Sequence, residues 1–507
     1  MIKLKTDKHE YAYFLYAITK SFFKDAPIVP PDKASHNMLP DDEGENEDLI
    51  ECFFGDESLF KLTVKSGNIL PESDDREWEI DANLDEEERK YARLGFVYDY
   101  LCEYTGIKLP WGNLTGIRPT KLYLNKLIEL QMRKDGKDYP FDEDTISVTK
   151  KYMAETFRVS EEKGSLSLSI ASREQGLMKS LHSDNGYSLY IGIPFCPSTC
   201  LYCSFTSYPI FKYRKIVPDY LECLKKEMRE AVKLMDGKIL DTIYIGGGTP
   251  TSLSAEELDV LLSAVTEIMP IDHLKEFTVE AGRPDSITAD KLKVMKKYPV
   301  NRISVNPQTM NDKTLQAIGR AHTVAQYVDA FKMAREEGFD NINTDIILGL
   351  KGEDVSDVEY TLERLKELNP DSLTVHSLAI KRASRLKLEM DLNGTDDFRN
   401  EFDFEKAMGL ASKAASDMGM NPYYLYRQKD MGGNLENTGF ARDGKYGLYN
   451  ILMMEEVQSI YAVGAGTVTK RVYGNGRIER CDAVKDVKMY IDNIEDMIDR
   501  KRKLFAD

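Results

Sequence analysis

From residue 188 onward, short apolar runs alternate with longer segments of helical periodicity. The runs are rich in β-branched and aromatic residues, and the segments between them carry apolar residues at the i, i+3, i+4 spacing of an amphipathic helix. Alternating β and α elements predict a parallel sheet with helices outside it, either doubly wound or part of a barrel. The predicted strands are 189–193, 242–245, 276–280, 302–305, 343–348 and 372–375, and the predicted helices are 219–234, 255–269, 289–297, 325–337 and 355–368.

This alternation does not extend over the whole chain of 507 residues, which is long enough for several domains. Strand-like runs at 49–54 and 59–64 and a helical stretch at 87–105 predict a small N-terminal α/β domain over 1–183. The alternating region covers 184–385. A helix at 403–418 and a Tyr-, Gly- and Asn-rich region follow it, so we expect a smaller, mainly helical C-terminal cap over 386–507.

Charge and apolar patterning exclude several classes of protein. The chain has 68 Lys and Arg against 85 Asp and Glu, a net charge of −17, which argues against a general binder of nucleic acid or anionic membranes. An anionic substrate would need local cations. No window approaches the roughly 18 consecutive apolar residues that span a bilayer, and residues 1–25 contain no uninterrupted apolar stretch typical of a secretion signal. We therefore expect a cytoplasmic protein.

Three of the seven cysteines lie within eight residues, directly after the first predicted strand: Cys196-Pro-Ser-Thr-Cys200-Leu-Tyr-Cys203. Three thiolates on one loop can ligate three irons of a [4Fe-4S] cluster and leave the fourth iron open. Structural zinc would require a fourth ligand nearby, and three unligated buried cysteines would leave the spacing unexplained. The other cysteines are scattered singly and are expected to take no part, namely Cys52, Cys102, Cys223 and Cys481.

Polar or flexible residues also occur at or near the ends of the next four predicted strands. Each alone has an ordinary structural explanation, such as a tight turn or a hydrogen-bonded core acid. The carboxyl ends of parallel strands, however, form one edge of a sheet, where ligands bind. The sequence therefore predicts a shared site from Gly246, Gly247, Gly248, Thr249, Glu280, Gln308, Arg320 and Asp345.

The cysteine spacing resembles the signature of the radical S-adenosylmethionine (SAM) superfamily. The resemblance implies a six-stranded parallel partial (β/α) barrel, a [4Fe-4S] cluster on Cys196, Cys200 and Cys203, and SAM on the open iron, whose reductive cleavage gives a 5'-deoxyadenosyl radical. It also implies residue roles. The glycine segment would cradle the methionine amino group, and Arg320 would pair with the methionine carboxylate. Glu280, Gln308 and Asp345 would contact adenosine and ribose, and Tyr190, six positions before Cys196, would be catalytic.

Longer stretches resemble the oxygen-independent coproporphyrinogen III oxidases, more narrowly the HemZ-type coproporphyrinogen dehydrogenases. The stretches are 190–196, 245–250, 301–308, 343–349, 423–429, 435–441 and 463–466. This resemblance implies an oxidoreductase of haem biosynthesis that converts two propionates of coproporphyrinogen III to the vinyl groups of protoporphyrinogen IX. A low-potential electron donor such as flavodoxin or ferredoxin would serve it. Candidate cations for the substrate carboxylates are Arg283, Arg302, Arg382, Arg385 and Arg427.

The chain departs from the well-studied oxidases at three places. Phe205 replaces a fourth cysteine, as in the related haem chaperones, Gly192 replaces a histidine, and Tyr449-Asn450 replaces a His-Asn pair. None of these positions is needed to ligate three irons, but all lie where substrate handling could differ. A haem-binding or haem-trafficking protein of the same superfamily is therefore an alternative, as is a related radical SAM methyltransferase acting on tetrapyrroles.

Overall fold

A computed structural model describes residues 1–24, 26–30, 48–55, 59–81, 83–116, 118–205, 207–381, 384–393, 398–428, 435–474 and 476–506. The chain divides into two compact units, Met1–Leu168 and Ser169–Asp507, and each is described here by itself. The second unit contains both the predicted barrel segment and the predicted C-terminal segment. The boundary predicted at residue 385 stays a prediction.

The first unit is a small α/β domain. Its five-stranded sheet has the order β2-β1-β3-β4-β5, with β1 parallel to both its neighbours and the remaining pairs antiparallel. The strands are β1 Ile2–Thr6, β2 Ile28–Val29, β3 Asp48–Phe53, β4 Leu59–Lys65 and β5 Asp74–Glu79. The helices are α1 Ala12–Phe22, α2 Glu86–Thr105, α3 Pro119–Asp135, α4 Glu143–Phe157 and α5 Glu161–Met178, the last of which carries residues of both units.

An apolar core joins α1 and α2 to this sheet. Phe60, on β4, is fully buried and stacks against Trp78 of β5, and Tyr11 stacks on Phe54 with ring centroids 4.0 Å apart. The helix α2 begins at a capping box, in which Asp85 accepts from the Glu88 N–H and the Glu88 carboxylate accepts from the Asp85 N–H. These features explain why the charged sequence before α2 still leads into a well-defined helix.

The second unit is built on an eleven-stranded sheet of order β14-β15-β13-β12-β11-β10-β9-β6-β16-β17-β18. The seven consecutive strands from β13 to β16 in this order are parallel. The first six strands in chain order are β6 Gly186–Ile193, β9 Ile239–Gly247, β10 Glu276–Glu280, β11 Arg302–Ser304, β12 Ile342–Leu348 and β13 Ser372–Ser377. The C-terminal strands are β14 Asn421–Tyr426, β15 Asn437–Ala441, β16 Ser459–Val463, β17 Val468–Val472 and β18 Ile478–Asp482, and a separate two-stranded pair is β7 Phe195–Cys196 and β8 Tyr208–Pro209.

Helices connect the parallel strands and extend the chain to its C-terminal end. They are α6 Ile210–Tyr213, α7 Val217–Leu234, α8 Ala255–Ile268, α9 Ala289–Lys297, α10 Asp312–Ala317, α11 Val324–Glu336, α12 Val355–Leu368, α13 Arg385–Asn393, α14 Phe404–Asp417, α15 Leu448–Glu455, α16 Val487–Asp492 and α17 Ile494–Phe505. In the described parts of the chain, no helix combines the length and apolar character needed to cross a bilayer.

The predicted α/β fold with a parallel sheet is confirmed, and all six predicted strands lie in the parallel run. The C-terminal segment is richer in helix than in strand, as expected, but it also supplies five strands of the same sheet. One of them, β16, is a seventh parallel strand beside β6. This strand was not predicted, because a short, buried run such as Ser459–Val463 has no periodicity that distinguishes a strand from a helix.

The two faces of the parallel sheet differ in chemistry. One face consists of aliphatic and aromatic residues, among them Leu189, Ile243 and Phe277, which are fully buried in the core of the unit. The other face, here called the polar face, carries side chains at alternate positions that the strand register aligns. These are Ser188, Tyr190, Thr242, Tyr244, Glu276, Thr278, Glu280, Arg302, Ser304, Asn343, Asp345, Ser372 and Thr374. Burial of so many polar groups costs free energy unless each finds a partner.

Candidate functional site

The three clustered cysteines lie on one loop after β6. The β7–β8 pairing closes this loop, since Cys196 pairs with Pro209. Cys196 and Cys200 are buried, and Cys203 is partly exposed. The Cys196 Sγ is 3.3 Å from Thr249 Oγ1, and Arg283 Nη1 is 3.6 Å from Cys200 Sγ. The loop therefore presents its thiols beside both a hydroxyl and a guanidinium.

The surroundings of these thiols favour their protonated form. Burial raises the pKa of Cys196 to about 11, although the contact with Thr249 acts in the opposite direction, and burial also raises the pKa of Cys203. A bound metal removes such protons, because the thiolate is the ligand. In the described residues, no three His, Cys, Asp or Glu side chains converge on a single metal position. An iron–sulfur cluster does not need such convergence, because each thiolate binds a different iron.

The segment Gly246-Gly247-Gly248-Thr249 begins in the last two residues of β9 and lies against the end of β6. A Cβ on Gly248 would lie 2.6 Å from the Phe195 carbonyl oxygen, so this position requires glycine, and one on Gly246 would lie 2.8 Å from the Glu280 Cδ and would displace that side chain. The Gly248 and Thr249 N–H groups donate to the Ile193 and Phe195 carbonyls at 2.8 and 2.7 Å. Because those amides are occupied, the segment differs from a phosphate-binding loop, in which free N–H groups face an anion.

Glu280 ends β10 at the same edge of the sheet. Its Oε1 accepts a 2.7 Å hydrogen bond from the Tyr244 hydroxyl, and its carboxylate also accepts from the Gly247 N–H. Burial raises the pKa of Glu280 to about 7, while the Tyr244 hydrogen bond lowers it and the negative charge of Asp345 raises it further. This carboxyl can therefore gain or lose its proton near neutral pH.

Three tyrosine rings stack beside Glu280. The Tyr244 and Tyr449 rings are 4.6 Å apart with an interplanar angle of 25°, and Tyr190 lies 6.1 Å from each of them at 15° and 21°. Tyr190 and Tyr244 come from β6 and β9, whereas Tyr449 comes from α15. Tyr449, which departs from the well-studied oxidases, thus reaches the same place as the predicted catalytic Tyr190.

Gln308 combines an unusual backbone conformation with a buried side chain. Its φ of 70° is unusual for a residue other than glycine, and it is held there by hydrogen bonds to β12, from the Gln308 N–H to the Asp345 carbonyl and from the Ile347 N–H to the Gln308 carbonyl. The side chain is 6% exposed, and its Oε1 has no hydrogen-bond partner. A bound ligand would satisfy this oxygen.

Asp345 belongs to a hydrogen-bond network. Its Oδ1 and Oδ2 accept from the Asn343 and Asn306 side-chain amides, both at 2.7 Å, and His376 Nε2 lies 3.8 Å from Oδ2. Burial opposes ionisation of Asp345, but His376 and the Asn343 amide lower its pKa below the ordinary value. The side chain remains 21% exposed, so this ionised carboxylate can accept further hydrogen bonds from a ligand.

Arg320 and His322 lie on the loop before α11, next to the cysteine loop. Arg320 Nη1 donates to the Asn306 and Gly282 carbonyls, and its Nε has no partner. Both ring nitrogens of the buried His322 also lack partners. Burial, together with the charge of Arg320, lowers the pKa of His322 to about 3, so its imidazole is neutral. His322 could not be assigned a role from the sequence. Its unusual feature is its burial without hydrogen-bond partners, and a single histidine in a loop sequence does not indicate burial.

The structure thus brings the predicted cluster and SAM residues to one end of the parallel sheet. The donor set fits both groups: three thiols share one loop, the glycine segment forms a cradle that side chains would fill, and buried polar atoms of Gln308 and Arg320 have no partner. The proposed substrate arginines do not form such a group. Arg283 is bound to Asp285 and Ser198, Arg385 begins α13, Arg427 is buried, and Arg382 lies outside the described residues.

A pocket of about 340 Å³ lies at the opposite, N-terminal ends of the strands. Its lining includes Lys275, Glu276, Asn301, Asn341 and Lys445, none of which is a candidate cluster or SAM residue. Ligands of parallel α/β sheets bind at the carboxyl ends, where the candidate residues lie, so we place the site there.

Comparison with known proteins agrees with this geometry. The sequence profile described as the Radical SAM superfamily matches residues 190–365. HemZ of Bacillus subtilis (strain 168), described as an oxygen-independent coproporphyrinogen-III oxidase-like protein, is 40% identical over 420 residues, which are 81% of this chain and 80% of the relative. This chain belongs to the HemZ family of radical SAM proteins.

Other relatives of this HemZ-family protein carry a different name. The heme chaperone HemW of Bacillus subtilis (strain 168) is 40% identical over 195 residues, which are 38% of this chain and 51% of the relative. Among solved structures, the coproporphyrinogen III oxidase HemN of Escherichia coli has a TM-score of 0.48 and 20% identity, covering 64% of this chain and 73% of that chain. Membership of this radical SAM family implies a [4Fe-4S] cluster and SAM as cofactors.

Proposed function

We propose that this protein is an oxygen-independent coproporphyrinogen III dehydrogenase of haem biosynthesis. It would convert two propionate side chains of coproporphyrinogen III to vinyl groups, giving protoporphyrinogen IX. In each conversion the propionate anion loses one hydrogen atom from its β-carbon, one CO₂ and one electron, and an external one-electron acceptor takes the electron. A low-potential protein such as flavodoxin or ferredoxin would supply electrons to the cluster.

The extent of similarity to HemZ is the observation that supports this activity over the alternatives. The HemZ match covers 81% of the chain at 40% identity, whereas the HemW matches cover 38% of the chain at 40% identity or 60% of it at 27% identity. HemZ thus combines the higher identity with the greater extent. A match that also includes flanking segments supports a shared substrate, because substrate contacts in such a fold come from outside the common sheet as well as from it.

The cofactors would be held by the residues at the carboxyl ends of the strands. Cys196, Cys200 and Cys203 would ligate the cluster. The methionine amino group, a hydrogen-bond donor, would contact the carbonyl side of Gly246, Gly247, Gly248 and Thr249, three of whose amides are already occupied. The bound cluster and SAM would supply one-electron chemistry that removes hydrogen from unactivated carbon.

The remaining residues would position the rest of SAM and the substrate. Asp345 and Gln308 would accept hydrogen bonds from ribose and adenine, Glu280 would contact the adenosine, and Arg320 would pair with the methionine carboxylate. Tyr190 is the member of the tyrosine stack whose hydroxyl lies near the glycine segment, since a Cβ on Gly247 would be 3.5 Å from the Tyr190 hydroxyl. We assign Tyr190 the catalytic role because it can contact both the cofactor edge and a substrate on the polar face.

Anaerobic incubation of the reconstituted protein with coproporphyrinogen III, SAM and a reductant tests this function. The expected product has lost two carboxylates, as measured by mass spectrometry after oxidation to the porphyrin. A Cys200→Ser protein is the matched control and should form no product. Unchanged coproporphyrinogen in the presence of an intact cluster and bound SAM would contradict the proposal.

A haem-binding or haem-trafficking role is the second candidate, and Phe205 favours it. This residue replaces the fourth cysteine of the well-studied oxidases. Its side chain is 69% exposed, and the Lys381 Nζ lies 5.7 Å from the centroid of its ring. An exposed aromatic ring beside an ammonium could contact a porphyrin plane and a propionate. Stable haem binding that Phe205→Ala abolishes, without decarboxylation, would support this role over the first.

A further inference from the structure

Arg302 is a buried cation with no ion-pair contact among the described residues. The side chain is 2% exposed, its Nη2 is 3.3 Å from the Ser372 Oγ, and its Nε has no hydrogen-bond partner. Within the described ranges, no carboxylate oxygen lies within 4.0 Å of its guanidinium. By contrast, Arg283 and Arg335 have Asp285 and Asp371 at 2.8 and 2.6 Å. A buried guanidinium with an unused N–H group is costly, so a ligand that accepts from Arg302 Nε would stabilise it.

Glu276, on the neighbouring strand, is occupied elsewhere. Its Oε2 accepts from the Leu448 N–H at the beginning of α15 and its Oε1 accepts from Thr278, while the Tyr449 N–H also contributes. This carboxylate therefore compensates the positive end of a helix dipole. Against the effect of burial, its charge also raises the pKa of Arg302, and the charge of Arg302 lowers the pKa of Glu276, so the two attract each other without an ion-pair contact. The hydrogen-bonding capacity of the guanidinium is thus not used by Glu276.

The surroundings of Arg302 suit an anion with oxygen atoms. Ser304, two residues on and on the same polar face, is buried, and its Oγ has no partner. A Cβ on Gly447 would lie 3.4 Å from the Arg302 Cζ and 2.9 Å from the Tyr423 hydroxyl, so glycine keeps side-chain atoms away from the guanidinium. By register, Ser304 lies opposite Glu280 and Arg302 lies opposite Thr278, so Arg302 is two residues deeper than the predicted SAM contact.

We propose that Arg302, assisted by Ser304, is the binding site for a carboxylate group of a ligand on the polar face. A guanidinium matches a carboxylate through two parallel N–H groups, which lysine cannot do. In the proposed function this carboxylate is a propionate of the tetrapyrrole, and that assignment rests on the proposed function. The carboxylate site itself is inferred from the burial of Arg302 and Ser304 and from their unused hydrogen-bonding atoms.

Fluorescence titration of the full chain with coproporphyrin III tests this proposal, and the tetramethyl ester of coproporphyrin III is the matched ligand. The wild-type protein should bind the free acid more tightly than the ester. The Arg302→Gln protein should bind the acid about ten- to a hundredfold more weakly, with little change for the ester, because only a charge-assisted interaction is lost. Arg302→Lys should lie between the two.

Thermal unfolding of the same proteins without ligand supplies a second readout. Arg302→Gln should melt close to the wild-type temperature, because the relief of burying a charge offsets the lost attraction to Glu276 and no ion-pair contact is broken. Arg335→Gln, which breaks an ion pair, should melt below it. If Arg302→Gln melts well below the wild type, binds the acid as the wild type does, or loses SAM and porphyrin binding equally, the proposal is wrong.

These outcomes are separate from those of the proposed function. Binding of coproporphyrin III that depends on Arg302, without any decarboxylation, would leave the carboxylate site in place and reject the dehydrogenase. Decarboxylation by a protein whose affinity for coproporphyrin III does not depend on Arg302 would support the dehydrogenase and reject the carboxylate site.

Discussion

The Tyr244 hydroxyl donates a 2.7 Å hydrogen bond to Glu280 Oε1, so a side chain of β9 orients the carboxyl group that ends β10. The same carboxyl accepts from the Gly247 N–H, and the Tyr244 ring stacks on both Tyr190 and Tyr449. Glu280 is therefore held by one amide of the glycine segment and by one member of the tyrosine stack. Tyr244 is a positioning residue for Glu280.

Tyr244→Phe is expected to weaken SAM binding in a pH-dependent manner. Burial raises the pKa of Glu280 to about 7, and the Tyr244 hydrogen bond keeps it from rising further. Without that bond the pKa increases, so the ionised form is lost at a higher pH, and SAM affinity should fall most between about pH 6 and pH 8. Calorimetric titration of SAM into the anaerobic, cluster-loaded protein measures this shift.

Tyr461→Phe is the matched control, because the Tyr461 hydroxyl is buried, has no hydrogen-bond partner and lies on β16. It should leave the pH dependence of SAM binding unchanged. A Tyr244→Phe protein with the wild-type pH profile would show that Glu280 does not act in its ionised form.

Cys200→Ser should prevent cluster assembly, whereas Cys223→Ser should not. Cys200 lies on the loop with the two other candidate ligands, whereas Cys223 is a buried residue of α7 whose Sγ lies 4.0 Å from the Ile491 carbonyl. Iron and sulfide analysis after anaerobic reconstitution distinguishes the two. Equal iron content in both variants would reject the assignment of the cluster ligands.

Asp345→Ala is expected to retain the cluster but to weaken SAM binding by about 1.5–3 kcal/mol, because the ribose would lose a charged hydrogen-bond acceptor. Asp345→Asn keeps one acceptor oxygen, which can retain one of the two contacts with Asn306 and Asn343, and should lose less. Equilibrium binding of SAM to both folded variants, checked by circular dichroism, measures the difference. A well-folded Asp345→Ala protein that binds SAM normally would reject this role.

The βα alternation could be predicted from sequence because each parallel strand is a short, apolar run between amphipathic helices. The positions of Glu280, Gln308, Arg320 and Asp345 near one edge of the sheet followed from the same pattern. These two inferences needed only the order of elements along the chain and the rule that parallel strands share an edge.

Contacts that depend on register between distant segments could not be predicted in this way. The stacking of Tyr449 on Tyr244 joins α15 to β9. That no described carboxylate makes an ion-pair contact with Arg302 is known only once Glu276 is seen to accept from Leu448. The C-terminal strands were missed for a related reason, since β14 and β15 are recognised by their pairing with β13 rather than by their composition.

Glu174→Gln should stabilise the protein above mildly acidic pH. Glu174 is fully buried, neither of its carboxylate oxygens has a hydrogen-bond partner, and burial and the nearby Glu455 raise its pKa well above 4.5. The folded chain then retains a proton that the unfolded chain releases, so stability falls as pH rises above the unfolded-state pKa. The glutamine removes this penalty, worth about 1–3 kcal/mol at neutral pH.

Urea unfolding at several pH values measures this effect, and Glu162→Gln is the control on the same helix, where Glu162 is 80% exposed. The difference between Glu174→Gln and the wild type should grow from about pH 4.5 to neutral pH and vanish in acid. A glutamine variant that is less stable than the wild type at neutral pH would show that the Glu174 carboxylate has a favourable partner.

The central claim is that this HemZ-family protein decarboxylates coproporphyrinogen III. The most direct measurement is the yield of 5'-deoxyadenosine against that of vinyl groups, in anaerobic reactions of reduced, cluster-loaded protein with SAM and coproporphyrinogen III. We expect 5'-deoxyadenosine to form only with substrate present and in proportion to the vinyl product. Stable haem binding with no vinyl product, while the cluster is reduced and SAM is bound, would contradict the claim and favour a haem carrier.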